Sequence, residues 1–180
     1  MANKDEEFAR VVAIHRRALL RYGLRRLDDH GAAEDIVAET YVVAWRRWDA
    51  KPPRDEEIFW LYGIARRVLS NLHRSESRSL RLEGRLAFER ELDQESPRYS
   101  EEDVEQLMQA LSSLSPDEQE LIQLAYWEKL SYREIGLVLD CSEKAAGIRL
   151  SRARQKLRNR LNETAPDITA LPKLREEKQL

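Results

Sequence analysis

Residues 142–161 read SEKAAGIRLSRARQKLRNRL, a stretch that predicts one long amphipathic helix. At 100° per residue its apolar side chains form a single stripe, made up of Ala146, Leu150, Ala153, Leu157 and Leu161. The same stretch holds seven Lys/Arg and one acid, although the net charge of the whole chain is only -2. Such a helix packs its apolar side on a domain and leaves a basic side free to enter a DNA major groove.

Two capping boxes precede this helix and mark the starts of two others. Residues 115–118, Ser-Pro-Asp-Glu, and residues 131–134, Ser-Tyr-Arg-Glu, each place a serine before a helix and a glutamate three residues later. We expect the second of these helices to end near Leu139, with residues 140–141 as the turn and Ser142 as the cap of the basic helix. This order is a helix-turn-helix, whose second helix reads DNA. The alternative is a helical bundle whose last helix is basic and merely solvated.

Composition predicts an all-α protein with one or two small domains. Hydrophobic residues make up 42% of the 180 residues and charged residues 36%, with only six Gly and six Pro. No apolar run is long enough to cross a membrane, and the N-terminus lacks the apolar core of a signal peptide. Cys141 is the single cysteine, which argues against a disulfide framework and a cysteine metal site. We therefore expect a cytoplasmic protein with no membrane segment, no metal and no cofactor.

Charge is segregated along the chain in the order basic, acidic, basic. Residues 66–85 contain six arginines and two acids, whereas residues 89–120 contain eleven acids and two arginines. This order predicts two nucleic-acid-binding modules joined by an acidic linker. The domains expected are an N-terminal helical domain, a flexible acidic linker, a helix-turn-helix domain and a flexible tail, at residues 1–76, 77–103, 104–163 and 164–180.

The N-terminal module is predicted to contain three or four helices, of which the second starts near Ala32. Its buried face is formed by residues at helical spacing, namely Val37, Thr40, Tyr41, Ala44, Trp45 and Trp48. Its other side carries Asp35, Glu39, Val42 and Arg46. Spacing alone does not decide whether that stripe is a solvated surface or a protein-docking surface.

A third helix is expected from about Ile58 to Arg74, with a core stripe that includes Leu61, Ile64 and Leu69. The reverse face carries Phe59, Gly63, Arg66, Arg67, Ser70 and Arg74, with Trp60 and Asn71 at its edge. Aromatic rings beside arginines are typical of single-stranded nucleic-acid binding, because bases stack on rings and phosphates meet cations. Trp60 also fits an ordinary core position. Phe59, opposite the apolar stripe, has no evident burial in the pattern.

Four segments in this order resemble a bacterial RNA polymerase sigma factor of the extracytoplasmic-function group of the sigma-70 family. They are AEDIVAETYVVAW (33–45), FWLYGIARRVLSNLHR (59–74), LSPDEQELIQLAYWEKLSYREIGLVLDCS (114–142) and RLSRARQKLR (149–158). The resemblance covers roughly Phe8 to Leu161. It implies that the N-terminal module docks on the polymerase clamp helices and opens the minus-ten element, while the helix-turn-helix binds the minus-thirty-five element as duplex. Core RNA polymerase (clamp helices and flap), promoter DNA and an anti-sigma protein are the partners that it implies.

The resemblance also implies roles for individual residues. The residues expected to contact core polymerase are Asp35, Glu39, Tyr41, Trp45 and Arg46. In the family, the loop before the third helix, here residues 49–57, captures a flipped base. The residues expected to contact minus-ten DNA are Lys51, Arg54, Phe59, Trp60, Arg66, Arg67, Asn71 and Arg74. The residues expected to contact the minus-thirty-five element are Lys144, Gly147, Ile148, Arg149, Ser151, Arg152 and Arg154. The acidic linker would thread the active-site and RNA-exit channels of the polymerase.

The chain departs from the family pattern at three places. Ala38 stands where a glutamine is common, and Asn71 where an aspartate is often found. In the recognition helix, Gly147 and Ile148 replace the usual lysine and serine. A family promoter consensus therefore should not be transferred. We expect Gly147 to allow close approach to DNA, and Ile148 to touch a thymine methyl group.

No residue pattern predicts catalysis. The three histidines are scattered without metal-ligand spacing, the acidic pairs are adjacent in sequence rather than facing, and no phosphate-binding glycine loop is present. The expected protein is thus not an enzyme. Two rivals to the sigma factor remain. One is a conventional helix-turn-helix regulator that binds duplex DNA without polymerase, and the other is a helical adaptor that sequesters a regulator.

Overall fold

A computed structural model describes residues 4–27, 29–75 and 101–164. Within these ranges all regular structure is helical, which confirms the predicted fold class. The α-helices are α1 (Lys4–Leu24), α2 (His30–Arg46), α3 (Glu57–Ser75), α4 (Glu101–Ser112), α5 (Pro116–Tyr126), α6 (Tyr132–Leu139) and α7 (Glu143–Thr164). A 3-10 turn, Trp48–Ala50, follows α2. No helix in the described part of the chain is both long and apolar enough to span a membrane.

Helices α1, α2 and α3 form the N-terminal module. The carboxylate of Asp29 caps α2 by accepting from the amides of Gly31 and Ala32, so the helix begins slightly before the predicted start. At the far end of α2, the Phe8 ring packs edge-on against Trp45 and Trp48 at centroid distances of 4.9 and 5.4 Å. These ring contacts join α1 to the C-terminal end of α2.

Helices α4 to α7 form the C-terminal module, and its local signals are confirmed. Ser115 and Ser131 each complete a capping box with the glutamate three residues later. The predicted stripe of α7 is buried along its whole length, at Ala146, Leu150, Ala153, Leu157 and Leu161. The helix is therefore fixed to its module by the side that the sequence indicated.

The two modules pack against each other through α3 and α6, and one hydrophobic cluster runs through both. A Cβ atom added to Gly63 of α3 would lie 3.0 Å from the carbonyl oxygen of Val138 in α6. Ion pairs cross the same boundary, between Arg66 and Asp117 at 2.6 Å and between Arg133 and Glu56 at 2.6 Å. The modules are thus in direct contact along one face of α3.

The predicted flexible linker and tail lie almost entirely outside the described residues. Helix α4 begins at Glu101, inside the range 77–103 predicted as linker. That end of the range predicted as a flexible linker is therefore helical.

Candidate functional site

The turn before α7 sets the direction of the basic helix. Asp140 ends α6 in the left-handed conformation, with φ 54° and ψ 51°, which an aspartate tolerates better than most residues. Gly136 lies beneath this turn, where an added Cβ would be 2.7 Å from the carbonyl oxygen of Cys141. The Ser142 hydroxyl then accepts from the amide of Ala145 to cap α7. This geometry is the helix-turn-helix predicted from the sequence.

Most of the predicted reading face of α7 is open. Lys144, Arg149, Ser151 and Arg152 are exposed, and Ile148 is 44% exposed although it is a large apolar residue. The Ile148 side chain is therefore available, beside cationic and polar side chains, for contact with another molecule.

Two residues of the predicted reading face have partners inside the module. The Arg154 guanidinium donates to the Tyr132 hydroxyl at 3.2 Å and lies 5.4 Å from the centroid of the Tyr126 ring. Its position on α7 turns Arg154 towards α5 and α6, and its assignment to the minus-thirty-five element stays a prediction. Gly147 is half-buried against the Tyr132 ring, at 3.4 Å from an added Cβ. It lines a shallow depression with Tyr132, Ser142, Glu143, Lys144 and Ile148.

The predicted docking stripe of α2 is also exposed, at Asp35, Glu39, Val42 and Arg46. The two aromatic residues assigned to the same docking surface, Tyr41 and Trp45, are wholly or partly buried. Tyr41 is buried, and burial raises its pKa to about 12. Trp45 is half-buried, between the Phe8 ring on one side and the Lys4 ammonium, 4.3 Å from its centroid. Both belong to the buried face that the spacing had indicated, and their assignment as docking contacts stays a prediction.

The residues predicted to contact minus-ten DNA differ in their exposure, because some of them pack against other parts of the chain. Arg54, Arg67 and Asn71 are exposed, and Trp60 is half-buried. The side chain of Arg74 lies outside the described residues.

Phe59 is only 9% exposed, so the nucleic-acid face predicted for it is covered in this arrangement of the modules. This burial results from tertiary packing between α3 and α6. Phe59 precedes Gly63 by one turn on the same side of α3, and that side packs against α6. Arg66 follows on the same side and is paired with Asp117. The C-terminal module covers this part of the face.

Lys51 was also assigned to minus-ten DNA, and in the structure its ammonium points inwards. Its Nζ donates to the buried Glu57 carboxylate at 2.8 Å, and its side chain is 13% exposed. In the sequence, this lysine and glutamate are six residues apart across a Pro-Pro loop. That spacing could have indicated the pair, but the sequence analysis did not predict it.

A buried ion network joins the modules at the other end of the interface. The Arg26 guanidinium donates to both Glu120 oxygens, at 2.9 and 3.1 Å, and to Glu128 at 3.0 Å. The Tyr22 hydroxyl donates to Glu120 at 2.8 Å, and Arg25 donates to Glu128 at 2.8 Å. Burial lowers the pKa of Arg26, but the two glutamates outweigh that effect and the pKa is raised overall. The sequence interpretation did not anticipate this network.

Two helical modules, one of them a helix-turn-helix with an open basic face, define the class of this chain as a modular DNA-binding protein. Comparison with known proteins gives the family. Residues 11–79 match the model of sigma-70 region 2, and residues 104–157 match that of sigma-70 region 4. The chain belongs to the extracytoplasmic-function group of the sigma-70 family and is thus a sigma factor, a protein that directs RNA polymerase to promoters.

Individual relatives agree with this assignment. The chain is 30% identical to the ECF RNA polymerase sigma factor SigL of Mycobacterium tuberculosis over 156 residues, which cover 83% of this chain and 85% of SigL. It is 29% identical to the RNA polymerase sigma-E factor of Streptomyces avermitilis, over 96% and 94% of the two chains. Among solved structures it is similar to CnrH in complex with the cytosolic domain of CnrY, with a TM-score of 0.59, 25% identity and coverage of 90% and 91%. The sigma factor RpoE of Bartonella quintana, solved with the anti-sigma factor NepR, shares the fold at a TM-score of 0.57 and 23% identity, over 87% and 97% of the chains.

Proposed function

We propose that α7 reads the minus-thirty-five element as duplex while α3 and the loop before it open the minus-ten element. The observation that carries the first part is the open face of α7, where Ile148 and Arg152 are exposed opposite a fully buried stripe. The polar and cationic side chains of that face suit base edges and phosphates. Arg54, Arg67 and Asn71 are the exposed candidates for minus-ten contacts.

The exposed stripe of α2 is our candidate for docking on the polymerase clamp helices. Asp35 and Glu39 lie one turn apart and both are exposed, so two carboxylates are available to basic partners. We expect RNA synthesis to belong wholly to the polymerase, with the chain acting in the cytoplasm and contributing no catalysis or cofactor of its own. The polymerase flap completes the docking surface in this proposal.

Promoter binding requires the two modules to separate. The minus-ten and minus-thirty-five elements are about 25 base pairs apart, which is about 85 Å of duplex. In the closed arrangement the modules are in contact, and Arg66 is paired with Asp117 of the other module. We infer that binding of core polymerase and promoter replaces these contacts and exposes the covered face of α3.

The proposal includes an anti-sigma protein as a regulatory partner. CnrH was solved with the cytosolic domain of CnrY, so a relative of similar length forms such a complex with a second protein. A protein that binds this chain and blocks its binding to core polymerase would identify that partner.

In vitro transcription with core polymerase on fragmented genomic DNA tests the proposed function, with transcript starts mapped. We expect discrete starts that share two spaced upstream elements and vanish without the chain. The double variant Asp35→Asn, Glu39→Gln should weaken binding to core polymerase, whereas Glu34→Gln should not, because Glu34 is turned towards Arg16 at 3.1 Å. Operator binding without polymerase, and no starts with it, would contradict the proposal.

A further inference from the structure

A single buried carboxylate ties the two ends of the loop before α3. Glu57 begins α3 and is 1% exposed. Its Oε1 accepts from the ammonium of Lys51 at 2.8 Å, and Lys51 stands at the other end of the loop, directly after the 3-10 turn. This ion pair closes the loop of residues 51–56 at its base.

The same carboxylate also fixes the loop to α1. Arg10 donates to Glu57 Oε1 at 2.5 Å, and His15 Nε2 lies 3.4 Å from Oε2. Burial raises the pKa of Glu57, but the hydrogen bonds from Arg10, Lys51 and His15 outweigh it, and the pKa is lowered overall. Glu57 is thus ionised at neutral pH, and the base of the loop is held against α1.

The donors of Lys51 are turned into the protein. Besides Glu57, its Nζ donates to the carbonyl oxygen of Pro52 at 3.3 Å and lies 3.7 Å from Glu7. Two of the three donors of this ammonium thus have an acceptor within hydrogen-bond distance, and the Glu7 carboxylate lies slightly farther away. By contrast, Arg54 at the tip of the loop is 72% exposed. Only the tip therefore faces outwards.

We propose that Glu57 and Lys51 are positioning residues for promoter opening, which hold the loop so that its tip meets the minus-ten strand while neither residue touches DNA. The proposal rests on the proposed function, in which this loop lies at the minus-ten element. It predicts that loss of either partner changes which base the loop accepts, rather than how strongly the protein holds phosphate.

A library of promoters varied at each minus-ten position, transcribed with core polymerase and the full chain, tests this. We expect Lys51→Met to reduce discrimination at one or two positions by about tenfold, the order of a base-specific contact. Glu57→Gln should have the same profile, and the double variant should be no worse than either single, because the two residues act as one unit. Lys51→Arg, which keeps the charge, should retain most of the discrimination. Glu6→Gln, an exposed site on α1, removes the same charge as Glu57→Gln without touching the loop.

Salt dependence separates this role from a direct phosphate contact. A lysine on phosphate would weaken all promoters equally when removed, and the salt slope would fall by about one. That result for Lys51→Met would overturn the proposal. An unchanged salt slope with an altered base profile would support it.

Hydrogen exchange in the free chain tests the loop without polymerase. The amide of Glu56 donates to the carbonyl oxygen of Pro53 at 3.0 Å, so its exchange reports whether the loop is closed. We expect faster exchange in Lys51→Met and in Glu57→Gln than in Glu6→Gln. Unchanged exchange in both would overturn the proposal even if the wild-type chain directs transcription. Absence of discrete starts from the wild-type chain would instead overturn the proposed function, and the exchange result would still stand.

Discussion

The outer faces of α7 and α3 look alike in sequence and differ in the structure. Each lies opposite a clean apolar stripe, and each carries arginines beside large apolar side chains. On α7 this face is open, with Ile148 and Arg152 exposed. On α3 part of it is covered by the C-terminal module, so that Phe59 is buried and Arg66 is paired with Asp117.

The difference shows what helical periodicity does and does not determine. Periodicity gives the side of a helix that faces its own module. It gives no information about a second module that packs on the other side. Glycine supplied the only local hint, since Gly63 lets the backbone of α6 approach α3 closely. In a sigma factor this has a functional meaning, because the covered face is the one assigned to the melted strand.

The largest effect is expected from breaking the ion network that holds the modules together. Arg26→Met would leave the buried Glu120 without its arginine and remove one of the two arginines on Glu128, which costs about 3–5 kcal/mol. Urea unfolding measures this loss. Arg17→Met, at an exposed position of α1, is the matched control and should change stability by less than about 0.5 kcal/mol. Equal midpoints for the two variants would show that the network does not hold the modules closed.

The second-largest effect is expected on promoter preference, from substitutions on the open face of α7. Arg152→Ala should cost about 1–3 kcal/mol of discrimination at one position of the minus-thirty-five element, and Ile148→Ala should relax a preference for thymine. Promoter libraries read by transcription measure both. Arg160→Ala removes a cation near the end of the same helix, where Arg160 is paired with Glu163 at 3.1 Å, and should leave base preference unchanged. If all three variants keep the wild-type preference, the reading face has been placed wrongly.

Much of the C-terminal module was predictable because its determinants are local. The two capping boxes, the turn at Asp140 and Cys141, and the apolar stripe of α7 each depend on residues within a few positions of one another. The site residues that are covered or paired internally have another origin. Arg66 and Asp117 are distant in sequence, and Arg154 turns towards Tyr132 across the helix-turn-helix. No local pattern encodes such partners.

The free energy of unfolding should depend on pH through the buried Glu57 in a way that exposed acids do not share. Its folded pKa is lowered, so its stabilising contribution is present above the ordinary carboxyl pKa and is lost as pH falls through the folded value. The difference in unfolding free energy between wild type and Glu57→Gln should therefore be large at pH 7 and shrink below about pH 4.3. Unfolding curves across this range measure it. Glu6→Gln should show no such trend, and a gap that widens with acid would contradict the assignment.

The smallest effect compares two glycines in the helix-turn-helix. Gly147→Ala should stabilise the chain by about 0.5–1 kcal/mol, because an added methyl only touches the Tyr132 ring. Gly136→Ala should destabilise it, since its Cβ would collide with the backbone at Cys141. Thermal unfolding measures both. If Gly147→Ala is stable but loses promoter binding, close approach of this backbone to DNA is established.

The central claim is that the covered face of α3 is released when the chain engages core polymerase and promoter. A chain with Cys141→Ser and cysteines introduced at Ala9 and Asn162, both exposed, allows the distance between the modules to be measured by double electron–electron resonance. We predict one well-defined distance in the free chain and an increase of tens of ångströms in the complex with core polymerase and promoter DNA. The same distance in both states would contradict the separation of the modules.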